Sequence, residues 1–347
     1  MNSKERVRKA FNHITPDRVP ANFECVSSVM EKLQKYYGFN EPEEIYKKFD
    51  IDIRCVGASY IGPEFRTWNE KGNKVTEDFW GFRKTHHWTG KEYNTITSYY
   101  PLDEMDTIFQ IENYRWPDPD WFDYESIKYQ CDRHKNKAII IGHEGPFQNA
   151  TNLRSMEKLF IDMALDSELA HKIFDKMVEF ELEYYERMFI AADGQIDILR
   201  PHDDYGTQIN LLFSTDMWRE YFKENTRKLT ALAHKYGAFY QQHSCGAVYD
   251  IIPELIDCGV DSLEPIQKVI GMDPANLKFK FGDKLTFHGG IDTQGVLPFG
   301  TPEEVKKETK HFIDTLNIHG GYILMASQSF EGDVPIENIA AMYSVRD

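Results

Sequence analysis

A regular alternation of short apolar runs with helical patterns limits the folds open to this chain more than any other feature. Eight such runs can be counted in the 347 residues, and the alternation is regular from residue 137 onward. Strands that alternate with helices pair in parallel, because each helical crossover returns the chain to the same end of the sheet. Eight parallel strands predict a (β/α)8 TIM barrel of the α/β class. The predicted strands are Val19–Glu24, Ile51–Gly57, Lys137–His143, Ile196–His202, Ala238–His243, Val260–Pro265, Leu285–Gly290 and Tyr322–Ala326.

Capping signals mark the helices between these strands. Thr301-Pro302-Glu303-Glu304 is a capping box with proline at the first helical position. One helix is expected to start at Ser214 or Thr215 and to end at Gly237, and a longer one starts near Asp166. These helices supply the crossovers that parallel strands require.

The chain is longer than a barrel needs, and the surplus lies mainly in one aromatic-rich segment. A (β/α)8 core takes roughly 250 residues, and about residues 58–135, between the second and third predicted strands, form the expected insertion. Within it, Lys74–Trp80 and Gly81–Trp88 are predicted hairpin strands. The insertion either packs its aromatic rings over the barrel, or forms a wall of the active-site mouth or a docking face. We expect one domain over residues 1–347.

Charge and composition narrow the cellular setting and the partners. Forty basic and 56 acidic side chains give a net charge of −16, which disfavours nucleic acid and anionic membranes as partners. No apolar stretch is long enough to span a bilayer, and the first residues lack the apolar segment of a signal peptide. Five scattered cysteines fit a reducing compartment. These features predict a cytoplasmic protein.

The predicted strand ends carry an unusual number of ionisable side chains. His243 and Cys245 are two residues apart at the end of a strand, so they point to the same face, and imidazole and thiolate are good zinc ligands. Asp203 and Asp204 are consecutive, so only one of them enters the mouth. Barrel enzymes place their chemistry at these ends. The remaining candidates are Asp204, Glu264 and Asp292 as catalytic groups, and Glu144, Gln208, His288 and Gln328 as substrate-binding groups.

The motifs of the chain resemble those of the uroporphyrinogen decarboxylase superfamily. Within it, His243-Ser244-Cys245-Gly246 resembles the marker of the zinc- and corrinoid-dependent methyltransferases typified by methylcobamide:coenzyme M methyltransferase. The other matching stretches are Glu5–Phe11 with Pro16–Pro20, Gly145–Phe147, Asp203–Gln208, His288–Gln294 and Pro335–Ile339.

This resemblance implies a TIM barrel that binds Zn²⁺ through His243 and Cys245. It further implies methyl transfer between a corrinoid, supplied by a corrinoid-binding partner protein, and a small thiol, folate or methylated substrate. Asp204 or Glu264 would transfer a proton to or from the substrate. Asp292 or Asp204 would fix the tautomer of His243.

Two departures from the family pattern keep alternatives open. Met325–Phe330 lacks the second cysteine expected after the eighth strand, so the third ligand must be sought among Glu144, Asp204, Glu264, Gln328 and Cys25. The arginine-rich element by which the decarboxylases grip tetrapyrrole carboxylates is replaced by Cys25–Val29. A tetrapyrrole carboxy-lyase is the second reading, and a non-catalytic barrel that binds a ligand or a corrinoid protein is the third.

Overall fold

A computed structural model describes residues 1–88 and 93–346, and for Tyr93 only the backbone. Parts of the predicted segment 58–135 and of the predicted domain 1–347 therefore lie outside the described residues. The strands are β1 Ile53–Cys55, β2 Ser59–Tyr60, β3 Thr67–Glu70, β4 Asn73–Glu77, β5 Arg83–Trp88, β6 Tyr93–Tyr99, β7 Phe122–Asp123, β8 Ala138–Ile141, β9 Ile198–Leu199, β10 Phe239–His243, β11 Ser262–Glu264, β12 Thr286–His288 and β13 Tyr322–Ile323.

Helices connect most of these strands. They are α1 Ser3–Phe11, α2 Ser27–Tyr37, α3 Pro42–Lys48, α4 Ile108–Glu112, α5 Glu125–Arg133, α6 Pro146–Leu153, α7 Met156–Leu165, α8 Ser167–Ala192, α9 Thr215–Tyr221, α10 Lys223–Lys235, α11 Ile252–Asp257, α12 Pro274–Phe281, α13 Val296–Phe299, α14 Pro302–Leu316 and α15 Ile336–Tyr343. No helix of the described chain combines the length and apolar character that crossing a membrane requires.

A curled parallel sheet forms the centre of the α/β fold. Its seven strands lie in the order β1-β8-β9-β10-β11-β12-β13, and every pairing is parallel. The extended segment 20–25 contacts both edges: Ala21 forms a parallel bridge with Leu324, and its carbonyl accepts a 2.9 Å hydrogen bond from the amide of Asp52. Seven of the eight predicted strands are confirmed in type and order, and the first predicted run is present as isolated bridges.

One end of the sheet interior is apolar and covered by α1. We call this cluster the floor; it consists of Val7, Ala10, Phe11, Ile53, Ala138, Ile140, Ile198 and Ile323. A buried ion pair holds α1 in place, because Arg6 on this helix contacts the fully buried carboxylate of Asp52 at 2.7 Å. Arg18, in the segment after α1, contacts the same carboxylate at 2.7 Å. The opposite end, where the strands finish, is the mouth.

The chain between β1 and β8 builds a separate antiparallel sheet, β3-β4-β5-β6. The predicted hairpin is confirmed, because Val75 on β4 pairs with Thr85 on β5. Aromatic rings attach this segment to α8: the Trp80 and Phe180 ring centroids lie 4.9 Å apart, as do those of Phe122 and Tyr184. The segment also reaches the loop after β8, because Trp80 and Phe82 line a cavity together with His143 and Glu144.

The helix expected from Ser214 to Gly237 is interrupted, which corrects that prediction. α9 ends at Tyr221 and α10 begins at Lys223, with Phe222 between them. The Phe222 side chain is buried, and its ring lies 4.9 Å from Phe174 and 5.2 Å from Tyr205. The backbone of Phe222 departs from ideal helical geometry, with φ −119° and ψ −26°, and this local turn divides the helix although the Phe222 amide still bonds the Trp218 carbonyl.

Candidate metal centre at the mouth

The parallel register of β10 and β11 brings a histidine and a glutamate side by side. His243 ends β10 opposite Glu264 at the end of β11. Nδ1 of His243 lies 2.7 Å from Oε2 of Glu264, and a carboxylate can only accept, so Nδ1–H donates. This contact leaves Nε2, on the other side of the ring, as the atom that can bind either a proton or a metal ion. A carboxylate behind a ligating imidazole is the arrangement that orients histidine ligands in metal sites.

Two further ligand atoms converge on Nε2. Sγ of Cys245 lies 3.8 Å from it, and Oδ1 of Asp204 lies 3.5 Å from it. The same Oδ1 accepts a 2.8 Å hydrogen bond from the Cys245 amide, which ties the loop after β9 to the loop after β10. The three ligand atoms all lie within 4.8 Å of one another.

A glycine allows these two loops to touch. Gly246 has a φ of 88°, and a Cβ built on it would lie 2.5 Å from the backbone carbon of Gly206. Any larger side chain would push the loops apart, and its backbone conformation would be strained. The glycine after Cys245 thus brings Asp204 within reach of His243 and Cys245.

The donor set and its spacing fit zinc. Tetrahedral bonds of about 2.0–2.3 Å separate an N ligand from an S ligand by roughly 3.6 Å and an N ligand from an O ligand by roughly 3.3 Å. The observed separations of 3.8 and 3.5 Å are close to both values. Three protein ligands leave a fourth position for a substrate, as in catalytic zinc sites. Asp204, His243 and Cys245 are therefore the residues that would hold the metal.

Electrostatics at the centre favour a cation. Burial opposes a charged His243, but the nearby Glu264 and Asp204 carboxylates outweigh it and raise the pKa of the imidazole well above its usual value. Burial likewise opposes the charge of Glu264, yet His243 and Arg200 hold the pKa of this carboxyl well below its ordinary value. Surroundings that retain a proton on the imidazole attract a divalent cation for the same reason.

Arg200 and Glu24 belong to this cluster and are absent from the sequence-based site. Nη1 of Arg200 lies 2.6 Å from Glu24 and 3.3 Å from Glu264. A signal for Arg200 exists in the sequence: Arg200 and His202 are two apart at a strand end, the spacing that singled out His243 and Cys245. The arginine is neutralised by two carboxylates, so it gives the mouth no net positive charge.

Below the candidate centre, the interior holds polar atoms without a protein partner in the described chain. They are Nε2 of His202, Nε2 of His288, Nε of Arg200, Nε2 of Gln241 and Oγ of Ser262. His288 is fully buried and its Nδ1 lies 3.0 Å from Oε1 of Gln241, while burial lowers the pKa of His288 to about 3. Buried polar groups of this kind are satisfied by water or ligand.

The predicted site residues separate into those near the centre and those away from it. Glu264 and Asp204 contact His243 directly, and the Gln328 side-chain nitrogen lies 3.5 Å from Sγ of Cys245. His288 lies deeper in the interior. Asp203 points elsewhere, accepting hydrogen bonds from the Tyr205 hydroxyl and the Gln148 amide.

Three predicted residues make no described contact with the centre. The Asp292 carboxylate accepts a 2.8 Å hydrogen bond from the amide of Gln294 and stays within its own turn. Gln208 is exposed, and Glu144 is exposed beside a different cavity. These three residues lie in the loops that follow β8, β9 and β12, and the position of a residue in such a loop does not fix the direction of its side chain.

A parallel α/β sheet with Asp, His and Cys at the ends of its strands defines the class: a barrel-related protein with a candidate metal centre. A model of the uroporphyrinogen decarboxylase (URO-D) family matches residues 102–347. The chain belongs to the uroporphyrinogen decarboxylase family, as its motifs predicted.

The curated relatives lie in the methyltransferase branch. Methylcobamide:CoM methyltransferase MtaA of Methanosarcina barkeri is 27% identical over 210 residues, and the same enzyme from strain Fusaro is 25% identical. Each match covers 60% of this chain and 58% of the relative, which is less than two thirds of its length. The structure of a methyltransferase from Methanosarcina mazei matches 99% of this chain and 98% of its own, with a TM-score of 0.68 and 19% identity, and shows a shared fold.

Proposed function

We propose that this chain is a zinc-dependent methyltransferase. It moves a methyl group between a corrinoid on a partner protein and a small thiol, folate or methylated substrate. The observation that carries the proposal is the convergence of Asp204, His243 and Cys245 within 4.8 Å at the mouth. The methyltransferase relatives support the reaction class.

The chain's own residues divide the work at this centre. A zinc ion held by Asp204, His243 and Cys245 would supply a Lewis acid, which lowers the pKa of a thiol. Glu264 keeps Nδ1 of His243 protonated and aims Nε2 at the centre, and Asp204 fixes the backbone of Cys245. Gln328 donates a hydrogen bond toward Sγ of Cys245 at the rim, where a substrate enters. The corrinoid-binding partner would dock across the mouth.

We infer that the fold is a full (β/α)8 barrel. Segment 20–25 takes the position of the first barrel strand, because it contacts both edges of the seven-stranded sheet. Residues 58–135 are then an aromatic-rich insertion between the second and third barrel strands, within a single domain. The antiparallel sheet and its rings against α8 support this interpretation.

The tetrapyrrole carboxy-lyase alternative has less support. A substrate with several carboxylates requires free basic groups at the mouth. Arg200 is the basic group found beside the centre, and Glu24 and Glu264 both pair with it. Catalysis of methyl transfer needs no such group, because the candidate metal carries the positive charge.

Metal content tests the proposal directly. We expect about one equivalent of zinc per chain in protein purified without chelator, and its loss in Asp204→Ala, His243→Ala and Cys245→Ser. Asp292→Asn is the matched control, since this carboxylate stays within its own turn. Elemental analysis of all five proteins is the measurement. Absence of zinc, with none taken up on addition, would leave the non-catalytic barrel as the better interpretation.

Methyl transfer is then assayed with methylcobalamin and a small thiol, by following loss of the methylcobalamin absorbance. Zinc-loaded protein should accelerate the reaction, and His243→Ala should abolish the acceleration. Zinc binding without any acceleration would retain the metal site and reject a thiol as the methyl acceptor.

A further inference from the structure

A polar cavity adjoins the candidate metal centre where the loops after β11, β12 and β13 meet. It has a volume of about 150 Å³. Gln328 lines the cavity, and its side-chain nitrogen lies 3.5 Å from Sγ of Cys245. Gln267 lines it as well, and Oε1 of Gln267 accepts a 2.8 Å hydrogen bond from the amide of Gly246, which follows Cys245. A group held in this cavity is therefore next to a candidate metal ligand.

The lining of the cavity is polar and carries negative charge alone. It combines three carboxamides with two hydroxyls and two carboxylates, and no basic side chain of the described residues takes part. The carboxamides are Gln267, Gln294 and Gln328, and the carboxylates are Glu331 and Asp333. An anion that entered would lose water and meet like charges, and both effects oppose its binding.

The basic groups described near the cavity offer it no counter-charge. Lys32 on α2 donates a 2.9 Å hydrogen bond from Nζ to the carbonyl oxygen of Gly332, and it is not among the side chains that line the cavity. Arg200, beside the candidate metal centre, is paired with Glu24 and Glu264. A carboxylate or sulfonate on the ligand would therefore be left without a positive partner.

The hydrogen-bonding capacity of the cavity favours a ligand that donates. Carboxylate oxygens only accept hydrogen bonds, whereas carboxamides and hydroxyls both accept and donate. Asp333 is exposed, and its carboxylate makes no hydrogen bond or ion pair within the part of the chain that the structure describes. Oε1 of Gln328 accepts a 3.1 Å hydrogen bond from the amide of Ser329, which leaves Nε2 directed at Cys245. An N–H or O–H of a ligand can thus reach an accepting oxygen at this cavity.

We propose that this cavity receives the end of the substrate opposite its thiol, and that this end is uncharged and donates hydrogen bonds. This rests on the proposed function, in which the metal holds the thiol. The chain would then select a neutral thiol over a thiol that carries a carboxylate or a sulfonate. Selectivity of this kind comes from repulsion of the wrong ligand as well as from contacts with the right one.

Calorimetric titration of the zinc-loaded full chain with three thiols tests the proposal without relying on turnover. β-Mercaptopropionamide and β-mercaptopropionate are equal in size and differ in charge, and mercaptoethanesulfonate is a second anion. We expect the amide to bind about tenfold more tightly than either anion. Equal or tighter binding of an anion would overturn the proposal and leave the thiol-binding metal centre in place. Absence of binding by all three would reject the neutral acceptor together with a thiol as the substrate.

An exchange of charge at Asp333 locates the selectivity. Asp333→Lys replaces an exposed carboxylate of the lining by an ammonium, so the ratio of the dissociation constants of the amide and the carboxylate should shift about tenfold toward the anion. This ratio cancels differences between the thiol groups themselves. Asp175→Lys, with the same change of charge at an exposed position on α8, is the matched control and should leave the ratio unaltered. If Asp333→Lys fails to fold, an unaltered ratio in Asp333→Asn also rejects the proposal.

Discussion

Glu264 links the interior of the parallel sheet to the candidate metal ligands. It is 1% exposed, and it contacts both Nδ1 of His243 and Nη1 of Arg200. A buried carboxylate is retained in the charged form only when such partners compensate for desolvation. The orientation of the imidazole therefore depends on Glu264.

Glu264→Gln should lower zinc affinity about 10- to 100-fold, the usual effect of losing the carboxylate behind a histidine ligand. The measurement is a competition titration against a chromophoric chelator. Glu144→Gln, which changes an exposed carboxylate beside the other cavity, should leave zinc affinity unaltered. Equal affinities in wild type and Glu264→Gln would mean that Glu264 does not control the imidazole.

Asp78 should reduce stability at neutral pH. Its folded pKa of about 6 lies above the ordinary value for aspartate, so the folded protein holds this proton more tightly than the unfolded chain. The stabilisation that the protonated Asp78 carboxyl gives to the folded protein is fully present below about pH 4, and it is lost as pH rises through about 6. The free energy of unfolding of Asp78→Asn, relative to that of the wild type, should therefore increase by about 2 kcal/mol from about pH 4.5 to about pH 7.5. Urea unfolding at both values checks this, and a constant difference would contradict it.

The sequence predicted the candidate metal site in part. The pair His243 and Cys245 was predictable because strand alternation fixes which side chains share a face. The choice between Asp203 and Asp204 was not, because it depends on the loop contact between Gly206 and Gly246. Arg200 was missed, although its two-residue spacing from His202 equals that of His243 and Cys245. The direction of the Asp292 side chain could not be predicted either, because it depends on a hydrogen bond within its own turn.

At the scale of elements, strands were predicted better than helix continuity. A buried strand in a parallel sheet is apolar on both faces, so its run in the sequence is distinct. Segment 20–25 forms isolated bridges, and the helix is divided at Phe222 by a backbone turn that no proline or glycine marks in the sequence. Local helix signals are reliable where side chains of the helix itself satisfy its first amides, as at α14.

Thr301→Ala should destabilise the protein by about 1 kcal/mol, because the hydroxyl of Thr301 caps the amide of Glu304 and the Glu304 side chain returns to Thr301. Denaturant unfolding measures the change. Glu303→Gln, on the exposed first turn of α14, is the comparison and should change stability less. A loss no larger than in the comparison would show that α14 does not depend on its cap.

At the scale of the whole molecule, the buried ion network around Asp52, beside the floor, connects the start of the chain to the central sheet. The Asp52 carboxylate, fully buried, is shared by Arg6 and Arg18 and accepts a hydrogen bond from the amide of Ala21. Removing one member of a buried ion network leaves the other charges uncompensated. This network holds together three parts of the fold that no single element connects.

Asp52→Ala should cost about 3–5 kcal/mol in the free energy of unfolding. Asp50→Ala, at a carboxylate that is 59% exposed and also pairs with Arg18, should cost less than about 1 kcal/mol. Thermal and urea unfolding of both variants give the comparison. Similar losses in the two variants would mean that burial of the network contributes nothing.

The closed floor has a kinetic consequence. Within the described chain, α1 and the apolar side chains of the floor close the lower end of the sheet. Small molecules therefore reach the polar interior through the mouth. Under the proposed function, a small reactant and a large corrinoid-carrying protein would share that opening. The small molecule would then have to bind first and its product would have to leave last, and steady-state initial-rate patterns would show this compulsory order of addition.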